Sequence, residues 1–148
     1  QSLHFDDYSF EGAVEDFHKW VADGADYNVW NLKPVEDDII AIKNSGNCEY
    51  LVLDYPFAYC HHMINKYIDV AIFIDTPLDI ALVRRILRDM SNSTGEEIRE
   101  ELDGYLKYSR IAYEQMLKDI LPSSAYVIDG SLDANKIIDE LVKIIESM

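Results

Sequence analysis

Long apolar runs are missing from this sequence. No stretch of eighteen such residues occurs, which excludes a membrane-spanning helix. The opening QSLHFDDYSF has neither the basic region nor the apolar stretch of a secretory signal, so a cytoplasmic location with no membrane partner is expected. Basic residues are scarce: 13 Lys and Arg stand against 28 Asp and Glu, a net charge of −15. A nucleic-acid partner is excluded on that balance, because its phosphates would be repelled over most of the surface. The only two cysteines, Cys48 and Cys60, fit neither a C-x-x-C pair nor a zinc spacing, and read as free, buried thiols. With six glycines and four prolines there is no low-complexity linker and no repeat. Since 49% of the 148 residues are hydrophobic, residues 1–148 read as a single domain with a real core. An initiator Met is absent too, and residues ahead of Gln1 are expected.

Four short apolar runs are present: SLHF at 2–5, YLVLD at 50–54, VAIFID at 70–75 and AYVID at 125–129. Runs without strict alternation predict strands covered on both faces, as in a parallel sheet. Helical patterns lie between them. Residues 10–24 are amphipathic and end at a glycine, and residues 34–46 open with Pro and close with Gly. A helix is predicted over 77–90, capped by Thr76, then a long helical region over about 95–121 and a last helix over 132–148. This alternation gives an α/β fold, three-layered, with a mostly parallel sheet and helices on both faces.

Ligands of such sheets sit at the carboxyl ends of the strands, and three of those ends are acidic: Asp6 with Asp7, Asp54, and Asp75. Carboxylates gathered there hold Mg²⁺ or handle a proton, although Asp75 before Thr76-Pro77 reads as a helix cap. All five arginines fall between residues 84 and 110, three of them in RRILRD at 84–89. Arginine presents a planar fork of donors suited to phosphate, although the five acids at 96–103 also invite ordinary ion pairs. Val83, Ile86, Leu87 and Met90 recur at helical spacing and predict a buried stripe, with Arg84 and Arg88 on one flank. Arg85 faces nearly away, beside Asp89, with which it can pair. His61-His62 reads as a loop-exposed pair pointing apart, and Tyr105, Tyr108 and Tyr113 as helix-packing residues.

In this order the segments resemble the uridine kinase and phosphoribulokinase family of P-loop kinases, over most of the chain. FDDYSF resembles the segment after the family's second strand, LVLDYPFAY its Walker B strand and following turn, and FIDTPLDIALVRRILRD its fourth strand and arginine helix. YLKYSRIAYEQMLKDILPSSAYVIDGS is similar to its long helix, last strand and adenine-side loop. The D-T-P before the arginine helix is the most specific piece. The resemblance implies ATP- and Mg²⁺-dependent phosphoryl transfer to a hydroxyl of a nucleoside or similar small molecule. It implies Asp6 as catalytic base near Mg²⁺, Asp54 as Mg²⁺ holder, and Arg84 and Arg88 as neutralisers of the transferring phosphoryl group. Asp7 stands ready to substitute for Asp6 on the substrate side. Tyr8, Tyr27 and Trp30 are either walls for a flat substrate or core. Arg85, Asp129 and Ser131 fall on the nucleotide side, and a small helical lid covers about 84–110. Homo-oligomer formation is left open.

The departures are specific. No G-x-x-x-x-G-K-[ST] occurs, so the phosphate cradle, its lysine and its Mg²⁺-binding hydroxyl are missing from these residues. In the family that loop follows a strand in the middle of the sheet. Its removal predicts a gap between YLVLD and VAIFID with unpaired backbone on both sides. The expectation is therefore that the P-loop strand and helix lie N-terminal to residue 1. The substrate-side histidine and hairpin have no counterpart, and SNSTGEE stands where further lid arginines are expected. Two other readings compete. One is a P-loop-less relative that binds without catalysis. The other is a two-component receiver phosphorylated on Asp54, with Thr76 after the fourth strand but no lysine after the last.

Overall fold

The computed structural model describes all 148 residues. Four strands form: β1 (Ser2–His4), β2 (Val52–Asp54), β3 (Ile72–Asp75) and β4 (Tyr126–Asp129). Six helices accompany them: α1 (Phe17–Ala22), α2 (Lys33–Ser45), α3 (Leu78–Asp89), α4 (Gly95–Gly104), α5 (Arg110–Asp119) and α6 (Ala134–Glu146). The fold is mixed α/β with short parallel sheets. β1 pairs with β2 in the register Leu3–Leu53, and β3 pairs with β4 in the register Phe73–Val127. No ladder joins β2 to β3, so two two-stranded sheets stand where one was expected, split at the predicted gap.

Helix ends follow their local chemistry. Pro34 opens α2 and Gly46, at φ 66°, closes it in the left-handed conformation. Thr94 and Glu97 form a reciprocal capping box on α4, Asp133 caps α6, and Asp16 caps α1. The predicted helix over 10–24 survives only as α1. Gly12 stands at φ 79° so close to residue 29 that a Cβ would lie 2.3 Å from the Val29 carbonyl oxygen, and this contact holds the preceding segment out of helix. Neither Thr76 nor Asp75 caps α3. Pro77 occupies the cap with no side-chain bond. The long helical region is α4 and α5 joined by a wide, π-type turn at Tyr105–Ser109.

The core gathers on the β1–β2 side. Trp20, Tyr27, Trp30 and Phe57 pack largely edge to face, beside the fully buried Leu32, Ile39 and Ile64, with Leu3, Phe5 and Leu53 of the first sheet leaning on them. The second sheet is less covered: Ile74, Tyr126 and Val127 are exposed, as are Ile138, Val142 and Ile145 along α6. Expected coverage on both faces therefore fails at several strand positions, Val52 included, because neither short sheet is wide enough to be closed over.

Other expectations change as well. The stripe on α3 is not buried: Leu87 is 71% exposed and Val83 is also exposed. The helix instead turns Leu78, Ala81 and Leu82 towards Tyr105 and Tyr113 around a cavity of about 100 Å³. Tyr108 and Tyr113 are exposed and only Tyr105 is buried. Both cysteines are free and half-buried rather than buried. His61 is 0% exposed, and its ring stacks on His62 at 5.2 Å instead of pointing away.

Candidate functional site

The tight turn after β1 (Phe5–Asp7) sets Asp6 and Asp7 at the surface, and β2 ends on Asp54. The pairing places His4 opposite Asp54, where the ring Nδ1 lies 3.3 Å from a carboxylate oxygen and Nε2 lies 3.2 Å from Ser2 Oγ. Tyr8 follows the turn and donates its hydroxyl to Asp38 at 2.7 Å. Burial, helped by that carboxylate, pushes its pKa up to about 12. A polar cleft of about 430 Å³ adjoins this turn, lined by Ser9, Glu11, Asn31, Lys33, Pro34 and Asp37. Nothing in the sequence marks it, because its residues stand in no motif and come together only through the fold.

Tyr27 and Trp30 are 5% and 9% exposed and lie inside the aromatic core. Trp20 and Phe57 cover them, and the Tyr27 hydroxyl donates to Asp119 at 3.1 Å. Neither ring presents a face to a ligand.

On the second sheet Asp75 and Asp129 end β3 and β4 opposite each other. Ser131 donates its amide to Asp129 at 2.8 Å, and its hydroxyl and amide hold that carboxyl below the usual range. The three arginines of α3 diverge. Arg85 does not pair with Asp89. It turns inward to Glu101 of α4, on the wall of the small cavity. Arg88 takes Asp89 through two donors, at 2.6 and 2.9 Å. Asp89 chiefly, with the charge of Asp6 contributing through space, holds the Arg88 guanidinium above its ordinary pKa. Asp6 of the first sheet and Arg88 of the second are thus within electrostatic reach. Arg84 points elsewhere: it donates to the carbonyls of Gly130, Ser131 and Leu132 at 2.5, 3.1 and 3.3 Å. Asp6 thus reaches Arg88 only through space, while Arg84 is committed to backbone.

The structure has no group of three or more His, Cys, Asp or Glu side chains shaped to hold a metal ion. Asp54 offers an exposed carboxylate at a strand end, the donor chemistry of a hard cation that keeps several waters and shares itself between one or two carboxylates and phosphate oxygens. These residues supply that one type of donor and no complete Mg²⁺ site.

Parallel strands with acidic carboxyl ends and an arginine helix beside them define an α/β ligand-binding class. Comparison with known proteins narrows it. The family model for the Phosphoribulokinase / Uridine kinase family matches residues 23–135. The chain belongs to that family. It is 30% identical over 95 residues to a uridine kinase of Schizosaccharomyces pombe, covering 64% of this chain and 21% of that protein. A uridine kinase of Psychromonas ingrahamii is 38% identical over 82 residues, covering 54% of this chain and 37% of that protein. A mouse uridine-cytidine kinase-like protein is 27% identical over 97 residues, or 66% and 18%. The chain thus spans little more than a third, at most, of these relatives. Family membership leaves the receiver reading without support.

Proposed function

We propose that this chain supplies the acceptor side and the arginine helix of a kinase that transfers the terminal phosphoryl group of ATP, with Mg²⁺, to a hydroxyl of a nucleoside such as uridine or of a related small metabolite. One observation carries the reading beyond family membership. Asp6, an acid in the turn after β1, adds its charge through space to that of Asp89 at Arg88, an arginine of α3 on the other side of the gap. Phosphoryl transfer needs that pair, a group to take the hydroxyl proton and a cation to offset charge on the moving phosphoryl oxygens.

In this reading Asp6 takes the proton, with Asp7 beside it on the substrate side, and Arg88 meets the phosphoryl group. Asp54 would hold Mg²⁺, which when bound would offset charge on the phosphate oxygens, and His4 orients the Asp54 carboxylate from 3.3 Å. Tyr8 and the polar cleft beside it form the acceptor wall. Arg85, Asp129 and Ser131 lie on the nucleotide side. A P-loop strand and helix, supplied from outside residues 1–148, complete the site by pairing between β2 and β3, so that five strands form one sheet with helices on both faces. Residues 84–110 then act as a reduced lid.

The test uses the full-length gene product with labelled ATP, Mg²⁺ and a panel of nucleosides and sugars. Phosphorylation of a nucleoside hydroxyl is expected, and absence of transfer to every acceptor would sink the reading. The missing G-x-x-x-x-G-K-[ST] motif favours one alternative, a relative that binds without catalysis. Nucleoside binding by calorimetry without any turnover would select it.

A further inference from the structure

We infer that Arg84 is a positioning residue that acts on the nucleotide through the loop Asp129–Leu132 and does not itself touch phosphate. The inference rests on the kinase reading above, in which that loop carries two nucleotide-side residues.

The loop is pinned from below and at both ends. Gly130 donates its amide to the Asp75 carbonyl at 2.8 Å, which extends the β3–β4 ladder by one residue. It packs so tightly on the β3–α3 turn that a Cβ would fall 1.9 Å from Thr76 Oγ1 and 2.9 Å from Ile74 Cγ2. Asp129 folds back to accept the Ser131 amide at 2.8 Å, and Asp133 caps α6 by accepting from Lys136 at 3.2 Å. These bonds use the amides. The consequence is that three successive carbonyls, of residues 130, 131 and 132, turn the same way with their negative ends together.

Such an arrangement needs a cation at its focus, and the Arg84 guanidinium occupies it with donors to all three. A planar group with several fixed donors can bridge three acceptors, whereas a lysine can meet them only as a point charge. Turning Arg84 towards a phosphate would give up all three charge-assisted bonds at once. Arg88, one helical turn on, makes no bond to this loop; its donors go to the exposed side chain of Asp89. The two arginines of one flank therefore do different work, one holding the loop and the other meeting the phosphoryl group.

The experiment compares binding of ATP and of inorganic tripolyphosphate to the full-length gene product by calorimetry, for wild type, Arg84→Met, Arg84→Lys and Arg88→Met, with amide hydrogen exchange alongside. If Arg84 acts through the loop, Arg84→Met weakens ATP about tenfold, the loss expected when hydrogen bonds to a charged group are removed, and leaves tripolyphosphate unchanged. It also speeds exchange of the amides from Ser131 to Lys136. Arg84→Lys restores part of the ATP affinity, and Arg88→Met leaves loop exchange unchanged. Equal weakening of ATP and tripolyphosphate by Arg84→Met would place the guanidinium on phosphate and overturn the inference. Unchanged loop exchange, or unchanged ATP affinity, would overturn it too. Wild-type protein that binds no ATP would sink the kinase reading and this role together, whereas the other failures sink this inference alone.

Discussion

The two half-sheets of this protein have the same strand pairing and very different surroundings. β1 and β2 rest on an interlocked aromatic core with α1, α2 and the segment from Phe57 to Ala71. β3 and β4 bury Ile128, with Gly130 buried just past β4, yet leave Ile74, Tyr126 and Val127 exposed, beside an apolar stripe of Ile138, Val142 and Ile145 on α6. One half is held together by apolar burial. The other is held by bonds at its carboxyl edge, where Asp75, Gly130 and Arg84 tie β3, β4 and α3 together. The contrast teaches that the elements proposed to do chemistry are shared unequally: the proposed base, Asp6, comes from the packed half, and the arginines from the half with the least burial.

If catalysis requires both halves, removing one group from either should cost about as much. Asp6→Asn and Arg88→Ala in the full-length gene product are each expected to lower turnover about 10²- to 10⁴-fold, the range for a lost general base or a lost transition-state charge partner. Steady-state assays with whichever acceptor the nucleoside and sugar panel identifies decide it. Turnover near wild type in either variant removes that residue from the mechanism and breaks the proposed division of catalysis across the gap.

Stability should divide unequally. Ile39 is 1% exposed in the core, so Ile39→Ala should destabilise the protein by about 2–5 kcal/mol through lost burial and the cavity left behind. Ile145→Ala, on the exposed stripe of α6, should cost no more than about 0.5 kcal/mol. Urea denaturation of the full-length gene product measures both. Comparable losses at the two positions would show that the α6 stripe is covered in solution, and the contrast between the halves would fail.

The second half should be sensitive at its edge instead. Gly130→Ala places a methyl against Thr76 and Ile74 and should cost about 1–3 kcal/mol, as overpacking does. Thr76→Ala in the same chain should recover part of it, because Thr76 Oγ1 is the nearest obstructing atom. A Gly130→Ala variant as stable as wild type would mean that the edge is not tightly held.

What could be read from the sequence follows the same division between local and distant causes. The strands were legible within two residues because runs such as VAIFID combine β-branched composition with short length. α2 was legible because Pro34 and Gly46 mark its ends. Family membership was legible in the order of the segments, and the split between β2 and β3 in the missing glycine motif. α1 was overextended because the contact that stops it, Gly12 on Val29, lies seventeen residues apart in sequence. The inward face of α3 was misread because apolar residues occupy both sides of it, Leu78, Ala81 and Leu82 as well as Val83, Ile86 and Leu87, and spacing alone does not choose between them. Arg84 was assigned to phosphate, and its hold on the loop went unread because its partners lie 46 to 48 residues onward and are backbone carbonyls, which no side-chain pattern announces.

His61 gives the finest test of the packed half. Its Nδ1 accepts the Met63 amide at 3.3 Å, so Nε2 carries the proton and donates to the Trp30 carbonyl at 3.0 Å, and the ring is satisfied while neutral. Burial lowers its pKa below the ordinary value, with His62 adding to the effect and the Trp30 carbonyl and Asp26 opposing it. The unfolded chain therefore binds this proton at a higher pH than the folded one. Stability is full above about pH 6.5, the ordinary histidine value, and falls as pH drops from there towards the folded-state pKa, by at most about 1.4 kcal/mol per pH unit for one proton. Below the folded-state pKa this group causes no further loss. Urea midpoints at pH 7.5 and 5.5 should drop more in wild type than in His61→Gln, whose amide remains neutral throughout. Equal drops in the two proteins would mean that His61 titrates normally and that water reaches the ring, and the packed half would then be less closed than its aromatic core implies.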